Sequence, residues 1–99
     1  MALQMEMLFE WDEAKAARNV AKHGVPFWYA ARVFFLDPHR LDSEDTRRSY
    51  GETRRLALGV IDGRVYVVAY TRRGEVTRII SARKANARER RRYYEAIQT

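Results

Sequence analysis

The sequence contains no cysteine, which excludes disulfides and any thiolate-held metal. Such a chain fits a reducing cytoplasm, where we expect it to act. No apolar run approaches the roughly 20 residues of a membrane-spanning helix. The opening MALQMEMLFEW has neither a basic segment nor a small-residue cleavage site, so no signal peptide is expected. Histidine is scarce as well. His23 and His39 lie far apart, without carboxylates at ligand spacing, and we expect neither a metal site nor any other cofactor. There is no glycine-rich phosphate loop and no Gly-x-Ser-x-Gly elbow, and Ser43, Ser49 and Ser81 have no predictable base beside them. The acids are scattered or stand at helix starts, unlike the cluster a two-metal nuclease needs.

Lysine is the last scarcity, and it turns attention to what is present. Nineteen basic residues against thirteen acidic ones give a net charge of +6, yet only Lys15, Lys22 and Lys84 are lysines. The other sixteen are arginines, the planar donors suited to gripping phosphates. Coding bias in a GC-rich genome would enrich arginine equally, so position has to separate the two explanations. With 46% hydrophobic and 12% aromatic residues, the chain is expected to fold, and its 99 residues suit one domain over 1–99.

Residues 8–11, LFEW, read as a short strand. Asp12 is a natural N-cap for a helix through EAKAARNVAKH, with Ala14, Ala17, Val20 and Ala21 as a thin apolar stripe and Gly24 to end it. A second helix follows in VPFWYAARVFF. There Phe27, Ala30, Ala31 and Phe34 form one face directed to the core, and Asp37-Pro38 stops it. Residues 37–53 read as a polar loop holding a short strand near 39–42. Three strands come next, joined at Asp62-Gly63 and Arg73-Gly74, and a helix runs from Lys84 to the end. The order β-α-α-β-β-β-β-α specifies an α+β fold, an antiparallel sheet carrying two N-terminal helices and a C-terminal one.

Two tight hairpins would pair Ile61 with Arg64 and Arg72 with Glu75, which sorts the strand residues by face. Leu56, Leu58, Val60, Val65, Val67, Ala69, Val76, Ile80 and Ala82 then form an aliphatic core side. The opposite side carries Arg55, Ala57, Gly59, Arg64, Tyr66, Val68, Tyr70, Arg72, Thr77, Ile79, Ser81 and Arg83, and a β-bulge would break this register. Such a surface is either a plain solvated face or one where aromatics and cations meet bases and phosphates. Arg78 falls on the aliphatic side, and has to lie at the sheet margin or pair with a carboxylate.

Without metal ligands, the chemistry open to a basic chain is attack of a ribose 2′-OH on its own phosphate. That route needs a base, an acid for the leaving 5′ oxygen, and cations for the charged phosphorane. The candidate proton carriers are Lys22, His23, Glu89, Tyr93 and Tyr94. Histidine is the side chain whose ordinary pKa lies nearest neutrality, although His23 also suits the last turn of a helix with no catalytic role.

FEWDEAKAARNVAKHGVPFWYAA at 9–31, YGETRR at 50–55, GRVYVVAYTRRG at 63–74 and RIISARKANARERRRYYE at 78–95 together resemble the BrnT toxins. The resemblance implies a RelE-like fold and a type II toxin that cleaves RNA without a metal. It also implies neutralisation by a BrnA antitoxin bearing a ribbon-helix-helix part, the complex repressing its own operon at operator DNA. Matched by motif, it picks out Lys22, His23, Arg78, Arg83, Glu89, Arg90 and Tyr93, with Tyr50, Gly51 and Glu52 as scaffold. Arg83 is the leading candidate for stabilising the transition state. Glu89 is either a proton carrier or the partner that fixes an arginine, and Arg64, Tyr66, Tyr70, Arg72 and Arg90 are the candidate nucleic-acid contacts. The alternatives are a non-catalytic basic nucleic-acid-binding module and a pure partner-binding protein.

Overall fold

A computed structural model describes residues 8–47 and 51–98, so Tyr50 lies outside the described residues. The elements are β1 (Leu8–Glu10), α1 (Glu13–His23), α2 (Phe27–Ala30), α3 (Val33–Leu36), β2 (Leu41–Glu44), β3 (Arg55–Ile61), β4 (Arg64–Arg73), β5 (Val76–Lys84) and α4 (Ala87–Ile97). Local chemistry sets several of these boundaries. The Asp12 carboxylate accepts from the Lys15 backbone N–H at 3.0 Å and opens α1, while Gly24 closes it at φ +73°. Asn86 and Glu89 exchange side-chain-to-backbone bonds as a capping box at the start of α4. The expected second helix divides at Ala31–Arg32 into the single turns α2 and α3. Its aromatic and β-branched residues are poor helix formers, and burial of Phe27, Ala30, Ala31, Val33 and Phe34 holds the turns in place.

The sheet has the order β1-β5-β4-β3-β2. It is mixed, not antiparallel throughout, because β1 runs parallel to β5 and pairs Glu10 with Arg78. Asp62 (φ +51°) and Gly63 (φ +79°) make the primed turn that joins β3 to β4, and the expected register there holds over the whole ladder. The next turn sits one residue later than expected, on Gly74 and Glu75, so Arg73 faces Val76. A bulge follows. Tyr70 faces Ile79 but Ala69 faces Ser81, leaving Ile80 as the extra residue.

That extra residue moves the last part of β5 to the opposite face, since side chains alternate with period two. Ala82 joins Tyr66 and Val68, while Ser81 and Arg83 join Ala69 and Val67. The two faces also exchange roles. The side read as polar is the main core, where Ala57, Val68, Ile79 and Ala82 lie beneath α2 and α3. Tyr66 and Tyr70 sit in it at 8% and 2% exposure, with ring contacts to Tyr29 at 5.7 Å and Phe34 at 4.8 Å. The side read as the core holds a smaller cluster of Leu58, Val65 and Val67, covered by Ala85 and by Tyr93 of α4.

Tyr93 fastens α4 to the rest of the fold by donating its hydroxyl to the buried carboxylate of Asp37, which also accepts from the backbone N–H groups of Val60 and His39 at 2.8 Å each. Burial pushes the Asp37 carboxyl up, but those three donors outweigh it and hold it below the usual carboxylate range. A depressed folded-state pKa contributes stability that is fully present above about pH 4 and is lost as pH falls through the folded value. Tyr93→Phe is therefore expected to cost about 1.5–3 kcal/mol at neutral pH. It should also move the midpoint of acid unfolding, followed by circular dichroism, to higher pH, and an unmoved midpoint would contradict this account.

Candidate active site

The thin alanine stripe does not anchor α1. Its one buried residue is Asn19, whose side-chain amide donates to the backbone oxygens of Val25 and Ala82 at 2.8 Å each and accepts from the Ala82 N–H at 3.1 Å. Strand β1 covers β5 only as far as Arg78, so the backbone of Ala82 stands at an open edge, and Asn19 satisfies it as a neighbouring strand would.

This docking aims one stripe of α1 across the β5 edge. Lys15, Arg18, Asn19, Lys22 and His23 follow helical spacing, and with Arg54, Ile80 and Ser81 they line a groove of about 670 Å³. Ile80 and Ser81 are the bulged residue and the one after it, so the bulge that displaces β5 also shapes the groove floor. Among the described residues, Lys15, Arg18 and Lys22 have no carboxylate ion-pair partner. A concave surface with several cations of one sign focuses positive potential and concentrates anions.

Arg83 lies on the same sheet face as Ser81, two residues further along β5. Its guanidinium forks onto Glu89 with two bonds of 2.8 Å, and Glu89 is itself held by the Asn86 N–H at 2.8 Å. Glu89 holds the Arg83 charge more firmly in place, opposed by burial and by the like charge of Arg47. The arginine in turn lowers Glu89, against the cost of burial. Of the two roles open to Glu89, the geometry matches the partner that fixes an arginine.

The remaining sequence candidates disperse. Arg78 does pair with a carboxylate, Glu10 at 3.0 Å, and Glu10 also lies 3.8 Å from Arg73. Tyr93 is buried at 2% exposure, its hydroxyl committed to Asp37, and burial followed by that carboxylate raises its pKa far above the ordinary tyrosine value. Tyr66 and Tyr70 offer no face to a base, because the helices cover them. Arg72 is exposed near the β4–β5 turn, while Arg64 and Arg90 meet in a separate pocket. Sequence reasoning did not identify Lys15, Arg18, Asn19 or Arg54. The three-to-four-residue spacing of cations along α1 was the available signal for the first two.

Among the described residues no helix is long and apolar enough to cross a membrane. No curated protein matches the chain. Residues 11–89 match the family model described as ribonuclease toxin, BrnT, of type II toxin-antitoxin system.

Proposed function

The chain belongs to the BrnT family, ribonuclease toxins of type II toxin–antitoxin systems with an antitoxin as partner, and from that membership we propose that the α1–β5 groove is where it cleaves RNA. The observation that carries this reading is the gathering of His23 with Lys15, Arg18, Lys22 and Arg54 in one groove. The cations hold the phosphate. His23 takes the proton of a ribose 2′-OH as the 2′ oxygen bonds to phosphorus. The bond from phosphorus to the 5′ oxygen breaks, the leaving oxygen takes a proton from Lys22, and a 2′,3′-cyclic phosphate remains. Arg83, beyond Ser81, stabilises the charge that builds on the phosphorane. The proposed route uses no metal.

The same reading carries a RelE-like fold, a BrnA-type ribbon-helix-helix antitoxin, repression of the operon by the complex at operator DNA, and action in the cytoplasm. The test is cleavage of RNA by purified protein in excess EDTA. Cyclic-phosphate ends are expected, with no cutting where the 2′-OH is replaced by hydrogen. His23→Ala should lower the rate by roughly 10²–10⁴-fold with the fold retained. Activity that disappears with chelator, or that survives 2′-deoxy substitution, rules out this mechanism. Salt-dependent RNA binding with no product on any RNA would instead identify a non-catalytic binding module.

A further inference from the structure

Away from the α1–β5 groove, α4 closes a second concave site against the β3–β4 turn and the end of β5. It has a volume of about 320 Å³ and is lined by Gly63, Arg64, Lys84, Ala85, Arg90 and Tyr94, together with Val65. It shares no lining residue with the groove. Three cations from three different elements converge there. Among the described residues none of Arg64, Lys84 and Arg90 pairs with a carboxylate. Cations placed only for solubility would spread apart, because like charges held together repel.

The site is also held in shape. The Arg90 guanidinium donates to the Ala85 carbonyl at 3.1 Å, which orients it without neutralising it. Tyr94 is 44% exposed and its ring stands edge-on to that of Tyr93 at 5.1 Å, and Tyr93 is anchored through Asp37. The result is an aromatic wall beside three cations, Arg90 among them oriented, the pairing that holds a base by its face and a phosphate by its charge. A carboxylate ligand would use the cations but would have no use for the ring. The volume lies at the low end for ligand pockets, which suits a single nucleotide and excludes a duplex.

We propose that this pocket binds one nucleotide of single-stranded RNA, its base against Tyr94 and its phosphate among Arg64, Lys84 and Arg90, at a position other than the one cleaved. The ribonuclease reading enters only in the choice of RNA as the ligand. It makes the pocket a subsite that holds the strand while the groove acts on another residue.

The pocket is tested on the full chain by following backbone amide resonances while uridine 5′-monophosphate, inorganic phosphate or hexaglutamate is added. The mononucleotide is expected to shift Gly63 and Ala85, with affinity at least about 5-fold above that of phosphate. Tyr94→Ala should weaken it by roughly 5- to 150-fold, the range for losing one base–aromatic stack, and Tyr94→Phe should restore it. Lys84→Glu should weaken both nucleotide and phosphate. Equal affinity for phosphate and the mononucleotide overturns the proposal, as does tighter binding of hexaglutamate. So do shifts confined to Lys22, His23 and Ser81. Mononucleotide binding here by a protein that cuts no RNA would uphold the pocket and refute the ribonuclease mechanism. Cleaved RNA with no loss of nucleotide binding in Tyr94→Ala would do the reverse.

Discussion

Replacing Arg83 with alanine is expected to lower the rate of RNA cleavage by roughly 10²–10³-fold, the usual cost of removing one preorganised donor from a developing anion. The effect should be large because Arg83 is oriented before substrate arrives. Glu89 forks its guanidinium, and the capping box at the start of α4 fixes Glu89 in turn. In the proposed mechanism the cation would therefore spend nothing on reorganisation at the moment of reaction. Along β5 it stands about 7 Å from Ser81 on the groove floor, two residues at the usual strand rise. Stability should fall by only about 1 kcal/mol or less, because the pair is partly exposed and Glu89 keeps its bond from the Asn86 N–H. Arg83→Lys is not a conservative change here, since an ammonium cannot fork onto the carboxylate, and it should recover little of the rate. Glu89→Gln should lie between the unsubstituted chain and Arg83→Ala, keeping the charge of Arg83 but loosening its orientation. Single-turnover cleavage of a defined RNA, with circular dichroism to confirm folding, measures each. An undiminished rate for Arg83→Ala would remove this residue from the mechanism.

Asn19→Ala should produce the largest loss of stability, about 3–4 kcal/mol, although it deletes only a small polar group. Three buried backbone groups, the Val25 and Ala82 carbonyls and the Ala82 N–H, lose their partner together, each at a cost of about 1–3 kcal/mol and not fully additively. For a chain of this size that corresponds to a fall in Tm of roughly 15–25 °C. Asn19→Asp discriminates the cause. It keeps an acceptor for the Ala82 N–H but turns oxygen toward two carbonyls, and should be at least as damaging as alanine. Thermal unfolding of both variants decides the matter, and a shift of less than about 5 °C in each would show that the β5 edge does not depend on this side chain. Since the Asn19 helix face also presents Lys15, Arg18, Lys22 and His23, the same substitution should impair cleavage by loosening the groove.

Several parts of the fold were legible in the chain because short-range chemistry dictates them. Asp12 and Gly24 bound α1 through a side-chain acceptor and a left-handed residue. Asp62-Gly63 fixes the β3–β4 register through backbone angles that few other pairs adopt. The apolar face of Phe27, Ala30, Ala31 and Phe34 was also readable, since burial demands that spacing whether the helix is continuous or divided.

The sheet faces were less legible. Alternation identifies a core side only when the other side is wet, and here helices cover one face while α4 and its tyrosine cover much of the other. Tyr66 and Tyr70 could therefore be read as a binding surface although they are core. Arg78, out of place on an aliphatic strand, becomes ordinary once the parallel strand β1 brings Glu10 beside it.

By itself the sequence determined most of the elements and their order, the excess of arginine and the family motifs, because each depends on neighbouring residues or on composition. It did not determine the division of the second helix at Ala31–Arg32 or the start of α4 at Ala87, three residues beyond the expected Lys84. Only the tertiary structure decided which cations share a site. One extra residue at Ile80 turns Ser81 and Arg83 to the other face of β5, and no local signal marks it, because a bulge is stabilised by the strands and helix that meet there and not by the residues that form it.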